Sequence, residues 1–179
     1  MDTMNEEQLI RDLRAGSREA LRLLYESHKD RLFTVAWGLL GDAAGAEDAV
    51  HDVFLGFVES LDKYHVNGGL GAYLAASVAN RARDRLRAVK RHAAHAAAVE
   101  SGRELRAVPQ DQAILQEETQ RLELALAQLP YEQREAVLLH LQSDLTFHKI
   151  AALQGVSLRT AQGRYRYGLE KLRSLLMSR

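Results

Sequence analysis

The sequence contains no cysteine, only two prolines and few aromatic residues, which make up 6% of the chain. Without cysteine, neither a disulfide nor a thiolate metal site can form. No segment approaches the roughly 20 apolar residues that span a bilayer. The first residues, MDTMNEEQLIRDLRAG, are charged throughout and hold no apolar run of signal-peptide length. We therefore expect a soluble protein of the cytoplasm that has no membrane partner.

Alanine, leucine, glutamate and arginine are abundant, and these residues favour helix over strand. The 24 acidic and 24 basic side chains balance, but they alternate in blocks along the chain. Residues 1–69 carry 13 acidic and 7 basic side chains, and residues 70–106 carry 3 and 8. Residues 107–145 carry 7 and 2, and residues 146–179 carry 1 and 7. The basic blocks indicate two surfaces for a polyanion, or else solvated helix faces on which charges happen to cluster.

Apolar periodicity predicts an all-α chain with two small helical domains joined by a flexible linker. Ser17 is placed to cap the first helix and Gly41 to end it, while Gly102 and Pro109 mark the linker. Helices are predicted at 17–40, 44–61, 71–91, 113–129, 131–142, 147–153 and 158–176, with a loop at 65–69 and a linker at 93–112.

The apolar residues that recur at helical spacing form the predicted buried faces. They are Leu21, Leu24, Tyr25, Leu32, Val35, Ala36 and Leu39; then Ala46, Ala49, Val50, Val53, Phe54, Phe57, Val58 and Leu61; then Leu74, Val78, Ala82 and Leu86; and finally Ala136, Val137, Leu139 and Leu141.

The stretch FHKIAALQGVSLRTAQGRYR (147–166) has the pattern of a helix-turn-helix. Gly155 occupies the turn, where a positive φ is needed, and Ser157 can cap the second helix. Ala151 is small where the two helices approach each other, and Val156 and Ala161 fill the angle between them. The second helix can therefore enter a major groove with its first turns on base edges.

Several polar side chains of this second helix are candidates for DNA contacts. Arg164 and Lys171 are placed for phosphates. The candidates for base edges are Arg159, Thr160, Gln162 and Arg166. Gly163 lowers helix stability by about 1 kcal/mol relative to alanine. It either permits a close backbone approach to DNA or is simply tolerated.

Three quoted stretches resemble one family, the sigma-70 RNA polymerase sigma factors, in their extracytoplasmic-function (ECF) class. LPYEQREAVLLHLQSDLTFHKIAALQGVSLRTAQGRYRYGLEKLR is similar to the C-terminal domain of that family. LYESHKDRLFTVAWGLLGDAAGAEDAVHDVFLGFVESLDKY and AYLAASVANRARDRLR are similar to its promoter-melting domain. The resemblance implies region 2 at residues 1–92, a linker at 93–116 and region 4 at 117–179.

The resemblance also implies a role for each charged surface. Core polymerase would bind through Glu47, Asp48, His51, Asp52, Phe54 and Phe57. The −10 element would be read and melted by Tyr73, Asn80, Arg81, Arg83, Arg85, Arg87, Lys90 and Arg91. The −35 element would be read by Arg159, Thr160, Gln162, Gly163, Arg164, Arg166 and Lys171. The implied partners are core RNA polymerase (the β′ clamp helices and the β flap), promoter DNA and, where one exists, an anti-sigma factor.

An enzyme and a helix-turn-helix regulator are the two rival functions. An enzyme would need a nucleophile with its base, a glycine-rich phosphate loop or a metal site. The candidate metal pairs, Asp48 with His51 and His92 with His95, lack further ligands, so we expect no catalytic residue, metal, cofactor or small-molecule substrate. A helix-turn-helix regulator that acts without polymerase stays open as the alternative, although it would not need the basic helix at 81–91.

The charge blocks also predict a contact within the chain. The basic helix at 81–91 can fold back towards the acidic segment at 117–135, with the linker long enough to allow it. Because attraction between exposed charges is screened by salt, we expect this closure to be weak and salt-sensitive.

Overall fold

The computed structural model describes residues 3–64, 69–95, 113–143 and 145–177, and these residues are helical with no strand. The α-helices are α1 (Thr3–Arg14), α2 (Arg18–Leu40), α3 (Ala43–Glu59), α4 (Leu70–His95), α5 (Ala113–Ala127), α6 (Tyr131–Ser143), α7 (Phe147–Gln154) and α8 (Leu158–Met177); a short 3₁₀ helix spans Leu61–Lys63. The predicted all-α class is confirmed. None of the helices within the described ranges is long and apolar enough to cross a membrane.

Local capping determines where α2 and α3 begin and end. Ser17 Oγ accepts a hydrogen bond from the backbone N–H of Ala20 at 3.2 Å, which satisfies an amide of the first turn of α2. Gly41 ends this helix with φ at 67°, and its N–H donates to the carbonyl of Trp37 at 2.7 Å. Asp42 then caps α3 by accepting from the Gly45 N–H at 2.9 Å. Both residues predicted to bound the first helix therefore do so.

Helix α1 was not predicted, because its sequence is charged and has few apolar positions. Leu9, Ile10 and Leu13 are nevertheless buried in the N-terminal core. Arg14 follows them and donates to the carbonyls of Leu61 at 3.2 Å and Tyr64 at 2.7 Å. Tertiary contacts, and not intrinsic propensity, hold this short helix in place.

Helices α2, α3 and α4 form the N-terminal domain around buried apolar residues, among them Leu24, Leu32, Val35, Leu39, Val53, Phe57, Leu74 and Val78. Three residues of the predicted faces are instead exposed: Leu21, Tyr25 and Val58. The apolar stripe of α2 and α3 is wider than the surface that α1 and α4 cover, so its edge stays outside.

Helices α5 to α8 form the C-terminal domain, whose core includes Leu139, Leu145, Ile150 and Ala161. The prediction that Leu141 is buried was wrong, because its side chain is 53% exposed. Leu138 is buried in its place, since α6 packs against α2 and α4 of the other domain as well as against α8. One face of α6 thus packs against the N-terminal domain, a contact that the periodicity of α6 alone does not reveal.

The helix ends that border the predicted loop and linker agree only in part with the predicted ones. Helix α4 continues to His95, beyond its predicted end near Arg91, and α5 begins at Ala113 as predicted. Residues 65–68 of the predicted loop and 96–112 of the predicted linker lie outside the described residues.

Candidate nucleic-acid and polymerase interface

The helix-turn-helix is built from α7, a three-residue turn at 155–157 that begins with Gly155, and α8. Gly155 has φ at 64°, a left-handed conformation that glycine adopts without a steric penalty. The Val156 N–H donates to the carbonyl of Ala151 at 3.0 Å and closes the turn. Ser157 Oγ accepts from the Thr160 N–H at 3.1 Å, which caps α8. The first turns of α8 are therefore rigidly placed and face outward.

An open groove runs along these first turns and collects most of the predicted −35 residues. It is lined by Gln133, Arg159, Thr160, Gln162, Gly163, Arg164, Arg166 and Tyr167. Tyr167 was not predicted, although its side chain is 54% exposed. The guanidinium of Arg166 lies 4.9 Å from the Tyr167 ring centroid, and its Nη2 donates to the phenol oxygen at 3.2 Å. The sequence signal that could have identified Tyr167 is an aromatic residue directly after an arginine, Arg166, on the DNA-facing helix.

Two cations of α8 make contacts inside the C-terminal domain. Arg164 Nη1 donates to Gln154 Oε1 at 2.8 Å, and Lys171 Nζ donates to the carbonyl of Gln128 at 2.8 Å. Each side chain must exchange a hydrogen bond within the domain before it can contact a phosphate. The two residues thus differ from Arg159, which is exposed on the groove.

The predicted −10 residues all lie on α4, but their surroundings differ. Tyr73 is partly exposed, with its ring centroid 5.1 Å from that of Tyr64 and 5.9 Å from that of Phe57. Asn80 is exposed, and its Oδ1 accepts a hydrogen bond from Arg83 at 3.3 Å. Tyr73 and Asn80 therefore offer an aromatic face and an amide to an unpaired base, at positions about two turns apart.

The arginines of α4 pair with carboxylates. Arg81 pairs with Asp52 at 2.7 Å and Arg85 with Asp48 at 3.2 Å. Two residues predicted to contact DNA are therefore paired with two residues predicted to contact polymerase. Arg87 lies 3.7 Å from Asp84 on the same helix, and Lys90 and Arg91 are exposed. Arg83 reaches the C-terminal domain, where it pairs with Glu135 at 2.6 Å.

The predicted polymerase-binding residues of α3 fall into two groups. Exposed on one face are Glu47, Asp48, His51 and Asp52. Phe54 and Phe57 are only 5% and 2% exposed, which confirms their predicted burial, and a direct contact of either ring with polymerase stays a prediction. The Phe54 ring lies 5.0 Å from that of Tyr25, and Phe57 contacts Tyr64. Both phenylalanines hold α3 against the core and position the acidic face.

Beside this acidic face lies an apolar groove that the sequence analysis missed. Its lining includes the exposed side chains of Leu21, Tyr25, Leu55 and Val58, with Phe54 beneath them. His51 lies at its border with the acidic face. The available signal was that α3 carries more apolar residues than a single buried stripe requires.

Two tyrosines, the buried Tyr64 and the partly buried Tyr131, form hydrogen bonds with carboxylates. Burial, together with neighbouring Glu135, raises the pKa of the Tyr131 phenol above its ordinary value. Burial, followed by the charge of Glu6, likewise raises the pKa of Tyr64. Both phenols stay protonated at neutral pH and donate hydrogen bonds to these carboxylates, at 3.2 Å and 3.3 Å.

Within the described ranges, no three histidine or acidic side chains come together as a candidate metal site. Asp48 and His51 lie on the exposed face of α3, while the side chains of His92 and His95 fall outside what the structure describes.

Comparison with known proteins matches both domains. The family model of sigma-70 region 2 matches residues 24–92, and that of sigma-70 region 4 matches residues 119–172. The RNA polymerase sigma factor CarQ of Myxococcus xanthus is 32% identical over 165 residues, which cover 91% of this chain and 92% of CarQ. The ECF RNA polymerase sigma factor SigW of Bacillus subtilis is 22% identical over 176 residues, covering 93% and 94%.

Solved structures share the fold. The sigma factor RpoE of Bartonella quintana, solved in complex with the anti-sigma factor NepR, has a TM-score of 0.70 at 23% identity, over 88% of this chain and 98% of that one. CnrH, solved with the cytosolic domain of CnrY, has a TM-score of 0.68 at 22% identity, over 94% of each chain. The matched regions, the curated relatives and the shared architecture agree, and the chain therefore belongs to the sigma-70 family of RNA polymerase sigma factors, in its ECF class.

Proposed function

We propose that this chain is a dissociable initiation subunit that acts in the cytoplasm, where it brings core RNA polymerase to specific promoters and helps to open them. The observation that carries this proposal is the exposed groove on the first turns of α8, where Arg159 and Gln162 stand beside Arg166 on a capped, rigid helix. Arginine and glutamine are suited to guanine and adenine edges in a major groove. We assign residues 117–179 to the −35 element.

Residues 1–92 are assigned to docking on polymerase and to the −10 element. The exposed carboxylates of α3, with the apolar groove beside them, suit a basic helical partner such as the β′ clamp helices. Polymerase that takes Asp48 and Asp52 as its own ion-pair partners would release Arg85 and Arg81 for the DNA strand. The region 4 domain would bind the β flap. The protein would add no catalytic residue of its own.

Regulation by an anti-sigma factor is a further part of the proposal. Its support is the likeness in fold to the sigma factor RpoE, solved with the anti-sigma factor NepR, and to CnrH, solved with the cytosolic domain of CnrY. Such a partner would compete with polymerase for the acidic face and the apolar groove of the N-terminal domain.

Run-off transcription with purified core polymerase on genomic fragments, followed by mapping of the start sites, tests this function. We expect discrete transcripts that require both the chain and core enzyme, whereas core enzyme alone gives none. The rival regulator would bind its operator with full specificity in the absence of polymerase. Specific DNA binding that core polymerase leaves unchanged, together with no start-site selection, would contradict the proposal.

A further inference from the structure

The two domains meet where α6 packs against α2, and a glycine stands at the tightest point. A β-carbon added at Gly38 of α2 would lie 2.7 Å from Cδ1 of Leu138 on α6, closer than carbon atoms pack. Leu138 is buried, and Leu139 beside it is fully buried. The inter-domain contact is therefore a packed apolar interface in addition to an attraction between charged surfaces.

A carboxylate lies within this interface. Glu135 of α6 is 0% exposed. Its Oε1 accepts hydrogen bonds from Arg83 Nη2 at 2.6 Å and from the Tyr131 hydroxyl at 3.2 Å, and its Oε2 accepts from Gln154 Nε2 at 2.9 Å. A buried carboxylate is strongly unfavourable unless a cation and hydrogen bonds compensate it. The compensating cation, Arg83, belongs to the other domain.

The same contact involves both proposed DNA-reading surfaces. Arg83 also donates to the carbonyl of Leu153 at 3.3 Å, at the end of α7, and to Asn80 Oδ1 at 3.3 Å. Gln154, which donates to Glu135, accepts from Arg164 Nη1 at 2.8 Å. A continuous set of hydrogen bonds therefore links Asn80 and Arg83 of the −10 surface to Arg164 of the −35 surface.

We propose that Glu135 is an autoinhibitory latch, which holds the two domains closed by capturing Arg83 and thereby keeps the unbound protein from engaging promoter DNA. This inference rests on the proposed function, because it takes Arg83 to be a DNA contact. Opening lets water hydrate Glu135 and makes Arg83 available to the strand. Polymerase would supply the free energy for opening by binding the two domains at separate places.

Distance measurements on the full chain test the latch. Because the sequence has no cysteine, Glu59→Cys and Glu170→Cys provide unique sites for a fluorophore pair, and both positions are exposed. Glu135→Gln removes the charge at nearly constant shape and leaves Arg83 without its carboxylate. We expect the ratio of open to closed molecules to rise about tenfold or more. Glu132→Gln is the matched control, since it makes the same change on an exposed residue of α6 and should change this ratio less than about twofold.

A second variant opens the interface from the other side. Gly38→Val places two methyl groups against Leu138 and should raise the open fraction without touching any proposed DNA contact. Binding of a labelled −10 single strand to the full chain without polymerase should tighten several-fold in Glu135→Gln and in Gly38→Val, but not in Glu132→Gln, because Arg83 becomes available to the strand. Far-UV circular dichroism and thermal unfolding establish that each variant is folded. If neither is folded, Arg83→Gln, read by distance alone, decides.

The outcomes separate the latch from the proposed function. Distances in Glu135→Gln that match those in Glu132→Gln would overturn the latch, even if the protein supports promoter-specific transcription. Opening of Glu135→Gln with tighter binding of the −10 single strand would support the latch. If the variants open but no form of the protein selects promoters with core polymerase, the proposed function fails while the inter-domain latch is supported.

Discussion

Single residues differ in what they must give up before they can contact DNA. Arg159 is exposed on the groove of α8, while Arg164 and Lys171 already donate hydrogen bonds within their own domain. On α4, Arg81 must leave Asp52 and Arg83 must leave Glu135. The pair of Arg81 is exposed and weak, whereas the carboxylate that holds Arg83 is buried, so Arg83 is much harder to release.

At this scale, replacement of Arg159 by alanine should relax sequence preference in the −35 element. A lost base contact costs roughly 1–3 kcal/mol on the preferred sequence and little on others. Lys171→Ala is the contrasting variant and should weaken binding evenly, with a smaller salt dependence. Binding isotherms of the polymerase complex on matched and mismatched promoters measure both. Wild-type discrimination in Arg159→Ala would show that α8 docks through another face.

Gly163 lies in the middle of α8, and the structure leaves room for a side chain there. An added β-carbon would find its nearest neighbour, Tyr167 Cε2, at an ordinary 3.9 Å. Gly163→Ala should therefore raise the stability of the unbound protein by about 1 kcal/mol, seen as a higher thermal midpoint. If promoter affinity falls at the same time, the glycine serves a close approach to DNA. No gain in stability would contradict the expected helix effect.

Among the elements, α1 owes its position to contacts made far away in the sequence. Ile10 is 2% exposed, and Arg14 donates to the carbonyls of Leu61 and Tyr64, next to the start of the predicted loop at 65–69. Helix α1 thus braces the end of the 3₁₀ helix from which that loop leaves.

We expect Ile10→Ala to lower the free energy of unfolding by roughly 2–4 kcal/mol, because it removes a buried side chain and leaves a cavity. Urea denaturation followed by circular dichroism measures this, and Gln8→Ala, on the exposed side of the same helix, is the control. Equal effects of the two changes would mean that α1 is not docked in solution.

The acidic residues of helix α3 differ in whether they also form an ion pair with α4, and this decides which of them can test polymerase binding. Reversal of Asp48 or Asp52 would also break an ion pair with α4, while Glu47 forms no ion pair among the described residues. Glu47→Lys should weaken binding to core polymerase several-fold, by roughly 1 kcal/mol, because it places a like charge against a basic partner. Fluorescence competition for core enzyme measures the affinity, with Asp62→Lys as the control outside α3. Unchanged affinity in Glu47→Lys would place the docking surface elsewhere.

At the scale of the whole molecule, the two domains are held together by interactions that differ from those that the charge blocks predict. The blocks favour a weak, salt-sensitive attraction between exposed surfaces. In the structure, the contact is apolar packing of α6 on α2 and an ion pair whose carboxylate is fully buried. Salt screens buried pairs much less than exposed ones and does not weaken apolar packing.

The distance between labels in the two domains should therefore change little between ~0.1 M and ~0.5 M NaCl, and it should increase when core polymerase is added. Single-molecule energy transfer on the unbound and polymerase-bound protein measures both responses. If the domains separate as the salt concentration rises, attraction between the exposed charge blocks, and not buried packing, holds them closed.

The amino-acid sequence by itself determined the helical class, the caps at Ser17 and Gly41 and the helix-turn-helix with its outward-facing residues. These follow from local rules of periodicity, capping and glycine geometry, which act within a few residues. Only the tertiary structure decided the docking of α1, the exposure of Leu21 and Tyr25, the burial of Leu138 and the pairing of Arg83 with Glu135. Each of these depends on which apolar face finds a partner and on which distant charges meet, because burial and ion pairing are properties of the assembled surfaces.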